Sequence, residues 1–246
     1  MQRPYAGPAA GHNEFLVLTA LVWVAVLTGF GTDSYDHILK HGLDYPPIVH
    51  LHAVVFVSFL VVFTTQVLLV RSGRVATHRR LGTAAAVLVG VMLVLGPLTA
   101  LHVDAHRYVA TGRTPEFLAV QLIDMVAFGL LAGAAFWLRR QPAAHKRLMM
   151  LGLIYISDAG FARFINHPVS ASLGDGFWGD MAGLYFGSDL LMLGFGAYDL
   201  IARRSLHPAY VAGVTLAIGL QLTAIAGLHS PAWKLMSLHL IGHPPG

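Results

Sequence analysis

A chain of 246 residues that is 56% hydrophobic and only 11% charged has too little polar side chain to cover a soluble domain built around one core. It has no cysteine, which excludes disulfides, thiolate metal ligands, iron–sulfur clusters and covalent c-type haem attachment. The net charge of +4 comes from short basic loops. It implies contact with a lipid bilayer and its anionic headgroups, and no nucleic acid is called for.

The first long apolar stretch covers residues 15–31. Residues 1–13 lack a strong basic n-region and no A-x-A site follows, so this stretch is expected to stay in the mature protein. The second stretch, 48–70, begins with His50-Leu51-His52 and ends at Arg71. An i, i+2 pair on a helix points to nearly opposite faces, so at most one of these two histidines lines the interior. The third stretch, 81–101, follows Arg74, His78, Arg79 and Arg80 and is followed by His102 and His106. That i, i+4 spacing puts both rings on one helical face if the helix runs past Leu101, which suits a shared divalent metal.

The fourth stretch, 117–138, carries Gln121, Asp124 and the GxxxG pair Gly129 and Gly133. His145, Lys146 and Arg147 open the fifth, 148–165, which contains Asp158 and Arg163. The sixth, 182–201, contains Gly183, Gly187, Asp189 and Asp199, and the seventh, 210–228, contains Gln221. The seventh has no lysine, so no retinal Schiff base is available. In the tail 230–246, Trp233, Leu235 and Leu238 are expected to rest on the membrane interface.

Each stretch is near the ~20 residues needed to cross a bilayer as a helix. The fold class expected is all-α, a polytopic transmembrane bundle in which residues 1–246 form one integral membrane domain. It has seven helices, or six if one of the short first and fifth stretches does not span. Ten basic residues fall in the loops after the second, fourth and sixth stretches, against five on the other side, among them Arg3. The positive-inside rule then places the N-terminus outside.

With that orientation, Asp124, Asp158 and Asp189 each sit seven residues from the outer end of their stretches, roughly 10 Å deep by helical rise. Gln221 falls at a similar level, and Gln121 shares a face with Asp124 by i, i+3 spacing. Carboxyl groups within hydrocarbon are expensive and mark pathways or sites, so one buried polar layer is expected, with Arg163 as its available partner. Asp199 lies outside this layer.

Of fourteen histidines, eleven map to the outer side, His12 among them, while His78, His145 and His207 map to the inner side. A metal set of His102, His106 and Asp189 is one expectation at the outer side. His78 and His145 each stand three residues ahead of an apolar stretch and share a basic punctuation, a weak internal repeat. Helix N-termini with Arg and Lys alongside make two anion sites, able to hold a lipid phosphate or a haem propionate. There is no HxxHH box, G-x-S-x-G elbow or P-loop.

The runs Val49-His50-Leu51-His52, Thr77-His78-Arg79-Arg80-Leu81-Gly82 and Ala144-His145-Lys146-Arg147-Leu148-Met149 resemble an uncharacterised family of bacterial multi-pass membrane proteins. That resemblance implies a bacterial cytoplasmic membrane and no particular activity. Histidines at the ends of alternate helices are also similar to diheme b-type membrane cytochromes. This likeness implies a haem b held by His78 and His145 with Arg80 and Arg147 near its propionates, His52 with His102 being a possible second pair. The fourth stretch has Gln121 and Asp124 where such a cytochrome has a histidine. Three functions follow as expectations: a haem-binding electron carrier, a proton- or cation-coupled transporter or channel using the Asp layer, and a metal-dependent enzyme at the outer face.

Overall fold

The computed structural model describes residues 13–243, so Arg3 and His12 lie outside the described residues. These residues form nine helices and no strand: α1 (Glu14–His41), α2 (Pro47–Arg71), α3 (Val75–Thr111), α4 (Leu118–Trp137), α5 (Pro142–Ile156), α6 (Asp158–Leu173), α7 (Phe177–Arg203), α8 (Pro208–Leu228) and α9 (Pro231–Leu240). Prolines at the first turns of α2, α5, α8 and α9 start those helices where a missing N–H costs nothing. Gly42 and Gly112, both at positive φ, close α1 and α3.

Five helices, α1, α2, α3, α4 and α8, are long and apolar enough to cross a membrane. The number is six if α5 and α6, bent by 47° at their junction, form one broken span. This is the make-up of a multi-pass integral membrane protein. The predicted sixth stretch lies within α7, which is 27 residues long but interrupted by Asp180, Asp189 and Asp199. It does not reach the apolarity of the other five.

Two boundaries differ from the sequence reading. α3 runs ten residues beyond Leu101 to Thr111, about 55 Å in all, because His102 to Thr111 contains no helix breaker before Gly112. The predicted fifth span is broken at Ser157. There the Ser157 hydroxyl donates to the Ile154 carbonyl at 2.7 Å, and the Asp158 carboxyl accepts the Ala159 N–H at 2.5 Å. Short polar side chains that bond their own backbone compete with the helical ladder, and here two occur in succession.

α4 and α5 lie at the centre, with Phe128, Leu131, Ala135, Met150, Leu151 and Ile154 almost wholly excluded from solvent. α4 packs against α3, α5 and α8, while α6 is clasped between α1 and α7. The α1–α6 crossing is close enough that a methyl on Gly29 would strike the Gly160 carbonyl. α2 is the most exposed of the spans, as a lipid-facing helix must be.

The tail departs from its expected interfacial role. Trp233 Nε1 donates to the Glu116 carbonyl at 3.1 Å and Lys234 pairs with the Glu116 carboxylate at 3.0 Å. Leu238 and Ile241 then pack with Ala100 and Leu118, leaving only Leu235 of the three expected anchors well exposed. The aromatic and aliphatic side chains thus find a protein surface at the α3–α4 turn.

Candidate functional site

Of the three acids expected in one layer, two come into direct reach of each other. Asp124 on α4 and Asp158 at the first position of α6 come together, 8% and 4% exposed, with their carboxyl groups in hydrogen-bonding reach of each other. Tyr185 Oη, on α7, donates to Asp124 Oδ1 at 3.0 Å. Tyr155, one turn before the helix break, stands 6.2 Å from Tyr185 ring to ring, its buried hydroxyl beside the same acids but without a regular hydrogen bond. Four elements meet at this centre, and it coincides with the interruption of the α5–α6 helix.

Among the described residues no Lys or Arg forms an ion pair with either carboxyl. Two carboxyl groups can hydrogen-bond to each other only with a proton between them. A neutral tyrosine hydroxyl donates to whichever oxygen carries the remaining charge. The centre thus brings two carboxyl groups and two tyrosine hydroxyls together at a helix break.

Asp189 lies near Asp158 but is hydrogen-bonded elsewhere. Its Oδ1 accepts from Gln221 Nε2 at 2.8 Å, and it lines an open groove with Trp178, Phe186 and Leu193. Gln121 is on α4 as predicted, but its buried Oε1 has no partner and it joins neither acid. Arg163, expected beside the acids, points to α1 instead. Its Nε donates to Asp33 at 3.4 Å, its Nη1 to the Ala159 carbonyl at 2.6 Å, and its guanidinium stacks 3.7 Å over the Phe30 ring. The bend at Ser157 turns α6 toward α1, which depth along a straight helix does not capture.

His78 and His145 do approach, with ring centroids 6.3 Å apart and ring planes at 78°. Of the two arginines predicted near them, Arg80 is exposed, while Arg147 is 2% exposed and bound to Asp199 through Nε at 2.5 Å and Nη2 at 2.8 Å. Arg203 adds a third bond to the same carboxylate at 3.0 Å. The sequence reading counted Arg147 with the loop charges and set Asp199 aside. The two are 52 positions apart, and only packing of α5 on α7 joins them.

The outer histidines do not gather into a metal set. His102 and His106 share a face, their rings 4.3 Å apart, but His106 Nδ1 is bonded to the His102 carbonyl at 3.0 Å. Asp189 belongs to α7, which is not packed against α3. No group of three His, Asp or Glu among the described residues is placed to hold a metal. His52 stacks on Phe56 of its own helix at 3.9 Å rather than facing His102. His37, which shares i, i+4 spacing with His41, joins the α1 and α2 ends through partners the sequence did not single out: it bonds Asp44 at 2.6 Å and stacks on Tyr45 at 3.9 Å.

Fold and site together define a helical multi-pass membrane protein with a buried carboxyl–tyrosine centre at a broken helix. Comparison of the chain with models of known protein families, with curated proteins and with solved structures finds no match.

Proposed function

We propose that the protein is a proton- or cation-coupled transporter or channel of the bacterial cytoplasmic membrane, with Asp124 and Asp158 as the ion-binding groups. In this reading it has seven spans with the N-terminus outside, α5 and α6 forming one broken span and α7 another. The observation that carries the reading is the carboxyl pair at the α5–α6 break. Ionisable groups within membrane spans mark ion pathways, and interrupted helices are the usual way a membrane protein presents backbone to an ion. Tyr155 and Tyr185 supply hydroxyls for the same ion. The basic loops meet anionic headgroups, and the resemblance of the His-Arg-Arg-Leu and His-Lys-Arg-Leu runs to bacterial membrane proteins supports the address.

The test is proton flux in proteoliposomes carrying an internal pH dye. Wild type should dissipate an imposed pH gradient, and Asp124→Asn and Asp158→Asn should each slow it at least tenfold. A rate equal to that of protein-free liposomes, or wild-type rates in both variants, overturns the reading.

The electron-carrier reading with haem b is less well supported. Its expected propionate partners are Arg147, bound to Asp199, and Arg80, exposed at the surface. Among the described residues no buried cation is then left unpaired for two propionates beside His78 and His145.

A further inference from the structure

From a different part of the fold we infer that His78 and His145 form a two-coordinate site for one monovalent soft metal ion, copper(I) in chemical class. One nitrogen of His145 is fixed by a main-chain carbonyl, its Nδ1 lying 2.8 Å from that of Ala135. This is the usual way a protein orients a metal-ligating histidine, because it sets the tautomer and leaves a lone pair on the other nitrogen. On His145 that nitrogen is Nε2. On His78, Nδ1 is buried and without any hydrogen-bond partner. Two lone pairs are therefore presented from neighbouring rings without a donor of their own.

The spacing decides what fits between them. A direct N–H···N hydrogen bond between imidazoles, at about 2.9 Å, would place the ring centroids no more than roughly 5.2 Å apart. Two metal–nitrogen bonds of about 2.0 Å in line, plus the nitrogen-to-centroid distances, give roughly 6.3 Å. The observed separation is 6.3 Å, and the 78° between ring planes is free to vary about a linear N–metal–N axis.

The charge of the ion follows from the surroundings. Among the described residues no carboxylate or third histidine completes a tetrahedral set, which zinc or another dication needs. Both histidines lie in the first turns of their helices, α3 and α5, where the helix dipole is positive, and Arg79 and Lys146 adjoin them. A single positive charge with two nitrogen ligands suits this site where a double charge does not. Imidazole is an accepted ligand for copper.

The test uses purified full-length protein in detergent, titrated anaerobically with copper(I) against a chromophoric chelator, and separately with silver(I). One ion per chain should bind, and His78→Gln and His145→Gln should each weaken binding at least 100-fold. His207→Gln, at the third inner histidine, should leave it unchanged. Thermal melts check that the variants fold. In the wild type, silver(I) should also protect both rings from diethyl pyrocarbonate, which needs no variant. Failure to bind would mean that a water bridges the rings and would overturn the site. So would binding unchanged in both His78→Gln and His145→Gln, zinc binding tighter than copper(I), or a Soret band on adding haem that these two variants lose. None of these outcomes depends on ion flux through Asp124 and Asp158.

Discussion

Arg147 and Asp199 show how a single residue can be misjudged from sequence and yet govern the molecule. Both are about 2% exposed, and their bidentate bond ties α5 to α7 on the side of the bundle away from the acid pair. Removing Asp199 strands the Arg147 guanidinium in a low-dielectric interior, and removing Arg147 leaves the buried Asp199 with Arg203 alone; breaking such a pair costs up to about 3–5 kcal/mol. Arg147→Met is therefore expected to lower the melting temperature in detergent sharply, and Arg147→Met with Asp199→Leu should recover most of the loss. If the double variant is no more stable than the single, the pair is not acting as a unit. Asp44 offers a milder case. The hydrogen bond from His37 holds its carboxyl below the usual range, so the stabilisation it brings is present above the ordinary carboxylate pKa and is lost as the pH falls through the lower folded value. Amide protection across residues 40–46, measured by hydrogen exchange and corrected for intrinsic rates, should be level from pH 7 to 5 and decline only below about pH 4. A decline between pH 7 and 5 would show that Asp44 does not control this turn.

At the scale of elements, the positions of the helices were legible from apolar runs, since every predicted stretch but the fifth falls on a single helix. What those runs did not reveal was the break at Ser157. Ile156, Ser157 and Asp158 sit within otherwise apolar sequence, and the competition between their side chains and the backbone is local chemistry without a change in hydropathy. The break in turn explains why Asp158 meets Asp124 while Arg163 swings to α1. The glycines separate in the same way: spacing suggested tight packing for all four GxxxG residues, yet a methyl on Gly133 meets nothing within 4 Å, whereas Gly187 lies against the Phe161 ring. A close backbone-to-backbone approach of α1 and α6 involves Gly29 and Gly160, which have no such spacing. A Cβ on Gly160 would sit 3.0 Å from the Ala25 carbonyl oxygen, and backbone cannot move aside as a side chain can. Gly160→Ala should thus cost about 1–3 kcal/mol, and Gly133→Ala should be neutral or slightly stabilising. Denaturant or thermal unfolding of the two variants checks this, and equal losses would mean that helix propensity rather than the α1–α6 crossing sets the outcome.

At the scale of the whole molecule, the number of crossings depends on α7. Its 27 residues are about 40 Å long, sufficient to span, but its three aspartates lower its apolarity below that of the other spans. Two of those carboxyl groups are bonded inside the protein, one of them by arginines. Asp199 is bonded by Arg147 and Arg203, and Asp189 by Gln221, while Asp180 lies near the helix start and pairs with His229 at 2.8 Å. A helix whose acids face protein partners can cross a bilayer that its average hydropathy would argue against, because the lipid meets only its remaining face. The absence of cysteine makes this directly measurable with single substitutions labelled by a membrane-impermeant thiol reagent on intact cells. Leu43→Cys, Arg113→Cys and Asp175→Cys should be labelled from outside, and Ser72→Cys, Gln141→Cys and Ser205→Cys only after the membrane is opened. All six positions are exposed in the fold, so lack of labelling reports sidedness rather than burial. Labelling of residues 175 and 205 from the same side would remove α7 from the spans. Labelling of residue 175 only after opening, together with 141, would make α5 and α6 a re-entrant pair, and Asp158 would then reach Asp124 from the inner face alone.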